Sequence, residues 1–219
     1  MSRKNEQDPV QGRWSLDEDL IAAIQADGRP RSAVYPHPGL ATVIGNGGDA
    51  WIETRPERLA RDGVPLLRRR GGGCAVVLDP GNLVCSVVLP VPGLGQITHG
   101  FAALSRAMAV ALESEGVSGV AQAGVSDLTV AGRKIGGSCI WRTRNILYYS
   151  TTVLVAPNWE LIERYLPHPP REPEYRDGRP HREFLTSLGE LGHHEAPERL
   201  AIRLGRQLES QLPEILLTF

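Results

Sequence analysis

Three arginines running into three glycines, Arg68-Arg69-Arg70-Gly71-Gly72-Gly73, constrain this chain more than any other feature. Glycine reaches φ values that other residues avoid and leaves its backbone uncovered. A turn built from three of them exposes N–H groups able to wrap an anion, with arginine charge close by. Apolar residues flank the turn, Leu66-Leu67 before it and Ala75-Val76-Val77-Leu78 after it, and Asp79-Pro80-Gly81-Asn82 turns the chain again. The order strand, basic glycine turn, strand, tight turn follows. The same residues also fit a hairpin whose arginines are merely solvated, and on this stretch alone the two readings stand level.

The wider composition narrows the partners. With 219 residues, 41% of them hydrophobic, the chain can bury the core of one large domain. A formal net charge of -1 gives no global field for nucleic acid or an acidic membrane. No run approaches the ~20 apolar residues of a membrane span. Residues 1–13 are polar and lack the apolar region of a secretory signal. We therefore expect a disordered tail over 1–13, a single domain over 14–219 without a C-terminal accessory domain, and a cytoplasmic protein. The cysteines Cys74, Cys85 and Cys139 are odd in number and show no C-x-x-C spacing, which argues against a disulfide framework or a zinc site. Cys85 reads as a small buried residue on a strand.

Strands come in runs with helices set between them. Ser15 to Glu18 and Thr54 to Glu57 both have capping-box spacing and predict helix starts. Leu104, Ala107, Met108, Ala111 and Leu112 mark one face of a helix over 99–115. Strands are predicted around 33–35, 40–45, 83–89, 120–123, 127–131, 134–141 and 146–155. Asn158 is placed to cap a short helix, and Leu200, Leu204, Leu208 and Leu212 mark a last one. Residues 167–183, rich in proline and charge, predict a long surface excursion. The pattern favours an α+β class with a mixed, largely antiparallel sheet flanked by helices.

A second constellation is Asp127-Leu128 followed by Arg133-Lys134-Ile135-Gly136-Gly137-Ser138. A lysine flanked by glycines is widely approachable, and its compact ammonium can meet both a phosphate and a carboxylate. Together with Arg68-Arg69, Gly72-Gly73, Ala75-Val76-Val77, Asp79 and Gly81-Asn82, these motifs resemble the lipoate–protein ligases. That family sits within the wider biotin/lipoate ligase and octanoyl transferase superfamily, with a class II synthetase-like catalytic domain. The resemblance covers roughly residues 15–215.

The resemblance implies a chemistry. ATP, with Mg²⁺ on its phosphates, converts lipoate or octanoate to an acyl-adenylate, and a lysine of an acceptor protein takes the acyl group as an amide. It assigns Lys134 as the catalytic cation that contacts acid and phosphate together. It assigns ligand contacts to Arg69, Gly72, Gly73, Cys74, Ala75, Val76, Val77, Asp79, Asn82, Asp127, Gly137 and Ser138. Val43, Val77 and Leu128 are candidate walls for the acyl chain, beside their ordinary reading as core. Acceptors it implies are a glycine-cleavage H-like protein, a 2-oxoacid dehydrogenase E2 lipoyl domain, or a specialised lipoate-binding protein; nucleic acid and membrane are not expected partners.

Four departures from the family pattern stand out. Cys74 occupies the place of the third glycine. Tyr148-Tyr149-Ser150-Thr151 replaces a His-His-Gly-Thr-like segment. Gly45-Asn46-Gly47 lacks an expected arginine. The chain ends soon after its last helix, so the accessory role falls to a separate subunit, is dispensable, or the protein is not a ligase. The rival readings are an ATP-independent octanoyl transferase using a cysteine thioester, to which neither Cys74 nor Cys139 matches in position, and a non-catalytic lipoate-binding protein.

Overall fold

The structure is a computed structural model, and it describes residues 8–219. The expected tail therefore lies outside the described residues over 1–7. Residues 8–13 are ordered: Gly12–Arg13 forms strand β1, and the Gln11 amide donates to the Leu66 carbonyl.

The chain continues through α1 (Glu18–Asp27), β2 (Arg31–Pro36), β3 (Ala41–Ile44), α2 (Ala50–Glu53), α3 (Pro56–Asp62), β4 (Leu66–Arg68), β5 (Val76–Leu78) and β6 (Asn82–Leu89). Then come α4 (Ile97–Ser114), β7 (Ala121–Ala123), β8 (Asp127–Val130), β9 (Arg133–Arg142), β10 (Leu147–Leu154), α5 (Trp159–Tyr165), α6 (His181–Phe184) and α7 (Pro197–Leu216). Six strands form an antiparallel sheet in the order β2-β6-β10-β9-β8-β7. A second sheet runs β1-β4-β3-β5, parallel except for β3 with β5. The α+β class and the mixed, largely antiparallel sheet hold.

Alternation along the strands decides what each face does. On β6, Leu83, Cys85, Val87 and Leu89 face the main core; on β10, Leu147, Tyr149 and Val153 do. The apolar stripes of α4 and α7 cover that face, including the predicted Leu200, Leu204, Leu208 and Leu212. The opposite face presents Val84 and Tyr148, and the small sheet and α1 pack against it. Leu128 lies fully buried in the main core and is no wall of a cavity.

Neither capping box forms. Asp17 precedes α1, but its carboxylate turns inward to accept from the Tyr35 and Tyr148 hydroxyls and the Ser86 hydroxyl, so it caps nothing. Thr54 ends α2 with its hydroxyl on the Ala50 carbonyl, while Asp49 caps that helix through the Trp51 amide. Asn158 does cap α5, accepting from the Glu160 amide.

Candidate functional site

The glycine turn joins β4 to β5, and its arginines are braces more than free charge. Arg68 donates to the carbonyls of Gly45, Asn46 and Gly48, filling the loop where the family pattern led us to expect another arginine. Arg69 donates to the Val43, Gly72 and Cys74 carbonyls at 2.7–3.1 Å. Arg70 forks onto Glu18 and stacks over Trp141. With the carbonyls held by Arg69, the N–H groups of Gly71, Gly72, Gly73 and Cys74 donate to no described group. Successive open amides of this kind can act as an anion-binding nest. The Ala75 amide is not part of it, because the buried Glu53 carboxylate takes it at 2.7 Å.

Packing explains where glycine is required. A Cβ on Gly45 would stand 2.2 Å from the Gly73 carbonyl oxygen, and one on Gly71 would stand 2.7 Å from Cys139 Sγ. Gly73 alone in the turn has positive φ, +92°. Cys74 does not, so the cysteine in the third-glycine position carries no left-handed strain.

The second constellation is the β8–β9 hairpin, turned by Ala131 and Gly132 with positive φ. A register shift between Leu128 and Thr129 sets Asp127 opposite Gly137 and Thr129 opposite Lys134. Lys134 then lays its side chain over Gly137, where a Cβ would stand 2.7 Å from Nζ. The ammonium reaches Asp127 Oδ1 at 2.7 Å, and the Tyr175 hydroxyl donates to the other carboxylate oxygen at 2.7 Å. The Lys134 carbonyl accepts the Thr186 amide, which ties the segment after α6 to this strand.

Both constellations open on one cavity of about 480 Å³ between the two sheets, a size typical of small-molecule sites. Arg69, Gly73, Cys74, Ala75, Val76, Val77, Asn82, Asp127, Lys134, Gly137 and Ser138 all border it. One wall is apolar, with Trp14, Val43, Val77, Leu78 and Val84. Gly72 and Asp79 of the expected site do not border it. Gly72 supplies a carbonyl to Arg69, and Asp79 is a buried tie that accepts from Gly81 N, Asn82 Nδ2 and Asn158 N. Asn82 is fully buried, and its Oδ1 has no donor among the described residues.

The expected surface excursion is partly a wall of this cavity. A 3₁₀ turn over Glu174–Arg176 and helix α6 bring Pro173, Arg176, His181 and Phe184 against it. The sequence offered one signal for this: Tyr175 and Phe184, aromatic residues in an otherwise charged stretch, which pack 5.2 Å apart. Desolvation, aided by the charges of Arg176, His168 and Arg55, holds His181 at about 4, so it is neutral near pH 7. Burial pushes the Cys139 thiol above its ordinary value, against the pull of Arg69, and pushes Cys85 up to about 12. Neither is poised as a thiolate.

A metal finds no protein cage here. No group of three His, Cys, Asp or Glu among the described residues is placed to hold one. The cavity's carboxylates are also committed, Asp127 to Lys134 and Tyr175, Glu172 to His168 and the Gly178 amide. Mg²⁺ therefore does not fit as a protein-held ion among the described residues. Among the described residues no helix is long and apolar enough to cross a membrane.

Comparison with known proteins places this arrangement. The profile of the family described as "Lipoyl protein ligase A/B catalytic domain" matches residues 9–203. A lipoate–protein ligase of Streptococcus pyogenes is 25% identical over 196 residues, which is 89% of this chain and 52% of that protein. The chain spans between 36% and 52% of the length of the curated relatives it matches. Among solved structures, the bipartite lipoate protein ligase of Thermoplasma acidophilum, described with its E2 lipoyl domain, aligns with a TM-score of 0.75 at 23% identity, over 92% of this chain and 76% of that one. A lipoate-protein ligase A bound with ATP aligns at 0.73 and 22% identity, over 90% and 78%. Identities this low speak for the fold, while the profile match over most of the length decides membership: the chain belongs to the lipoyl protein ligase A/B catalytic domain family.

Proposed function

We propose that this protein is a lipoate–protein ligase: it activates lipoate, or octanoate, with ATP and passes the acyl group to a lysine of a lipoyl-acceptor protein. One observation carries the reading: a lysine ammonium, held by a carboxylate, shares a single cavity with the open amides of a glycine turn and an apolar wall. That combination suits a nonpolar acid whose charged end must meet a phosphate.

The chemistry joins two anions. A carboxylate oxygen attacks the α-phosphorus and pyrophosphate leaves, giving a mixed anhydride. The acceptor amine then attacks the acyl carbon, AMP leaves with the C–O bond electrons, and the amine gives up a proton. In the first step Lys134 offsets the repulsion and stabilises charge developing on the phosphoryl oxygens. The amides of Gly73 and Cys74, which border the cavity, offer further donors, and Arg69 keeps the turn in shape. The apolar wall takes the acyl chain, and the 173–184 wall keeps water from the anhydride. The reaction is assigned to the cytoplasm as part of the same proposal. An E2 lipoyl domain, a glycine-cleavage H-like protein or a specialised lipoate-binding protein is the acceptor, and a separate accessory subunit assists if adenylation is slow alone.

The test is pyrophosphate release from ATP with lipoate, set against acyl transfer from octanoyl carrier protein without ATP. Lipoate-dependent release is expected, lowered about 10²–10³-fold in Lys134→Ala. Activity with the carrier protein alone, and a trapped cysteine thioester, would hand the site to the transferase reading.

A further inference from the structure

Arg176 is a guanidinium with an unmet hydrogen bond. It is 4% exposed, and it borders the same cavity as Lys134. Its Nε donates to the Arg179 carbonyl, and its face stacks on Phe184 at 4.7 Å. Its Nη2, sealed from solvent, has no acceptor among the described residues. Glu172 Oε2 lies 3.4 Å from Nε, but that oxygen is also bonded to His168 and its twin to the Gly178 amide. A buried guanidinium with one nitrogen left without an acceptor is costly, and native proteins keep few of them.

Charge counting says what the missing partner is. Lys134 and Asp127 form an ion pair of zero net charge. The acid and the nucleotide together bring several negative charges to a cavity whose named lysine is already neutralised. Of the other cations there, Arg69 is spent on three carbonyls, and Arg171 borders the cavity from an exposed position. His181, beside Arg176, is neutral and adds only a hydrogen-bonding group. A planar guanidinium held by an aromatic ring suits two oxygens of one phosphate better than a carboxylate already met by a lysine.

We propose that Arg176 is the second phosphate-binding cation of the site, taking non-bridging oxygens of the nucleotide's α-phosphate. The inference rests on the ligase reading and adds to it a residue outside both motifs. Phe184 holds the guanidinium in place, so the wall carrying it is part of the nucleotide site as well as a shield against water.

Calorimetric titration with AMP and with adenosine tests it, because the pair differs only by the phosphate. In Arg176→Gln, AMP affinity is expected to fall at least about tenfold, as for the loss of a charged hydrogen bond, while adenosine and lipoate affinities stay as in wild type. Arg176→Lys, a point charge without the fork, should recover part of the loss. Equal falls for AMP and adenosine, or a fall for lipoate alone, would overturn the assignment. If Arg176→Gln does not fold, Phe184→Leu and Arg176→Lys decide: AMP weakened selectively in both supports the role, and AMP unchanged in both removes it. Wild type that neither binds AMP nor releases pyrophosphate overturns the ligase reading itself. Wild type that releases pyrophosphate, with Arg176→Gln binding AMP normally, overturns Arg176 alone.

Discussion

Gly137→Ala separates the fold from the chemistry at a single carbon. The new methyl would stand 2.7 Å from Lys134 Nζ, 2.8 Å from its Cε and 3.3 Å from Asp127 Oδ1. Those are far ends of side chains, so the strand keeps its place and the ammonium is pushed off its seat. Gly137 has ordinary φ, so alanine adds no backbone strain and gains about 0.4–1 kcal/mol through the unfolded chain. The displaced pair is partly exposed, 24% and 14%, and its loss costs about 0.2–1 kcal/mol. The two nearly cancel, so the melting temperature should stay within ~4 °C of wild type. The reaction has no such compensation: a cation aimed at developing charge is worth about 2.7–4 kcal/mol, and even ~1 Å of misplacement can cost 10²-fold. Lipoate-dependent pyrophosphate release should therefore fall about 10²-fold or more in a variant that melts like wild type. Gly136→Ala is the control with the opposite signature. Its Cβ would meet the Thr152 carbonyl oxygen at 2.4 Å, a backbone atom across the ladder, so β9 and β10 must part. It should lose about 1–3 kcal/mol of stability. If Gly137→Ala turns over within about threefold of wild type, the seat of the Lys134 ammonium does not matter and the electrostatic argument fails.

Two further outcomes follow from the same site. Cys74→Ala and Cys139→Ala should each keep pyrophosphate release near the wild-type rate, since Cys139 is a buried thiol rather than a thiolate and Cys74 offers the turn only its backbone; loss of turnover together with a trapped acyl thioester would refute this. His181 sets an acid limit: its folded value of about 4 lies below the ordinary 6.5, so between those values the unfolded chain binds the proton first. Stability should be level above about pH 6.5, fall as pH drops toward about 4, and flatten below that for this group. His181→Gln should remove that part of the slope in urea denaturation followed across the range, and an unchanged slope would exclude His181 as its source.

The two motifs were legible because backbone geometry demands particular residues. Gly45, Gly71, Gly73 and Gly137 stand where a Cβ would strike a neighbour or φ is positive, and spacing along the chain reveals such positions. Charge was less legible, because sequence shows how many cations there are and not what they hold. Arg68, Arg69 and Arg70 read as a field for an anion, yet each is tied to carbonyls or to Glu18. The failed capping boxes have the same cause. Glu18 and Thr54 have local partners on paper, but Arg70 takes the Glu18 carboxylate and the Thr54 hydroxyl turns back onto the Ala50 carbonyl.

Least legible was the wall over the cavity. Proline and charge over 167–183 mean that no helix or strand period repeats, and such a stretch normally lies in water. Here Arg176, His181 and Phe184 are buried, and Tyr175 reaches Asp127 in the hairpin 48 residues earlier. Those contacts are long-range, so no local pattern announces them. They make Asp127 a hub: one oxygen fixes the Lys134 ammonium and the other fixes the wall. An anion that draws Lys134 away from Asp127 loosens the carboxylate's hold on its lysine while Tyr175 still holds the wall down. The lysine and the wall are thus joined through one carboxylate, and the joint is a side-chain contact between distant segments rather than a motif.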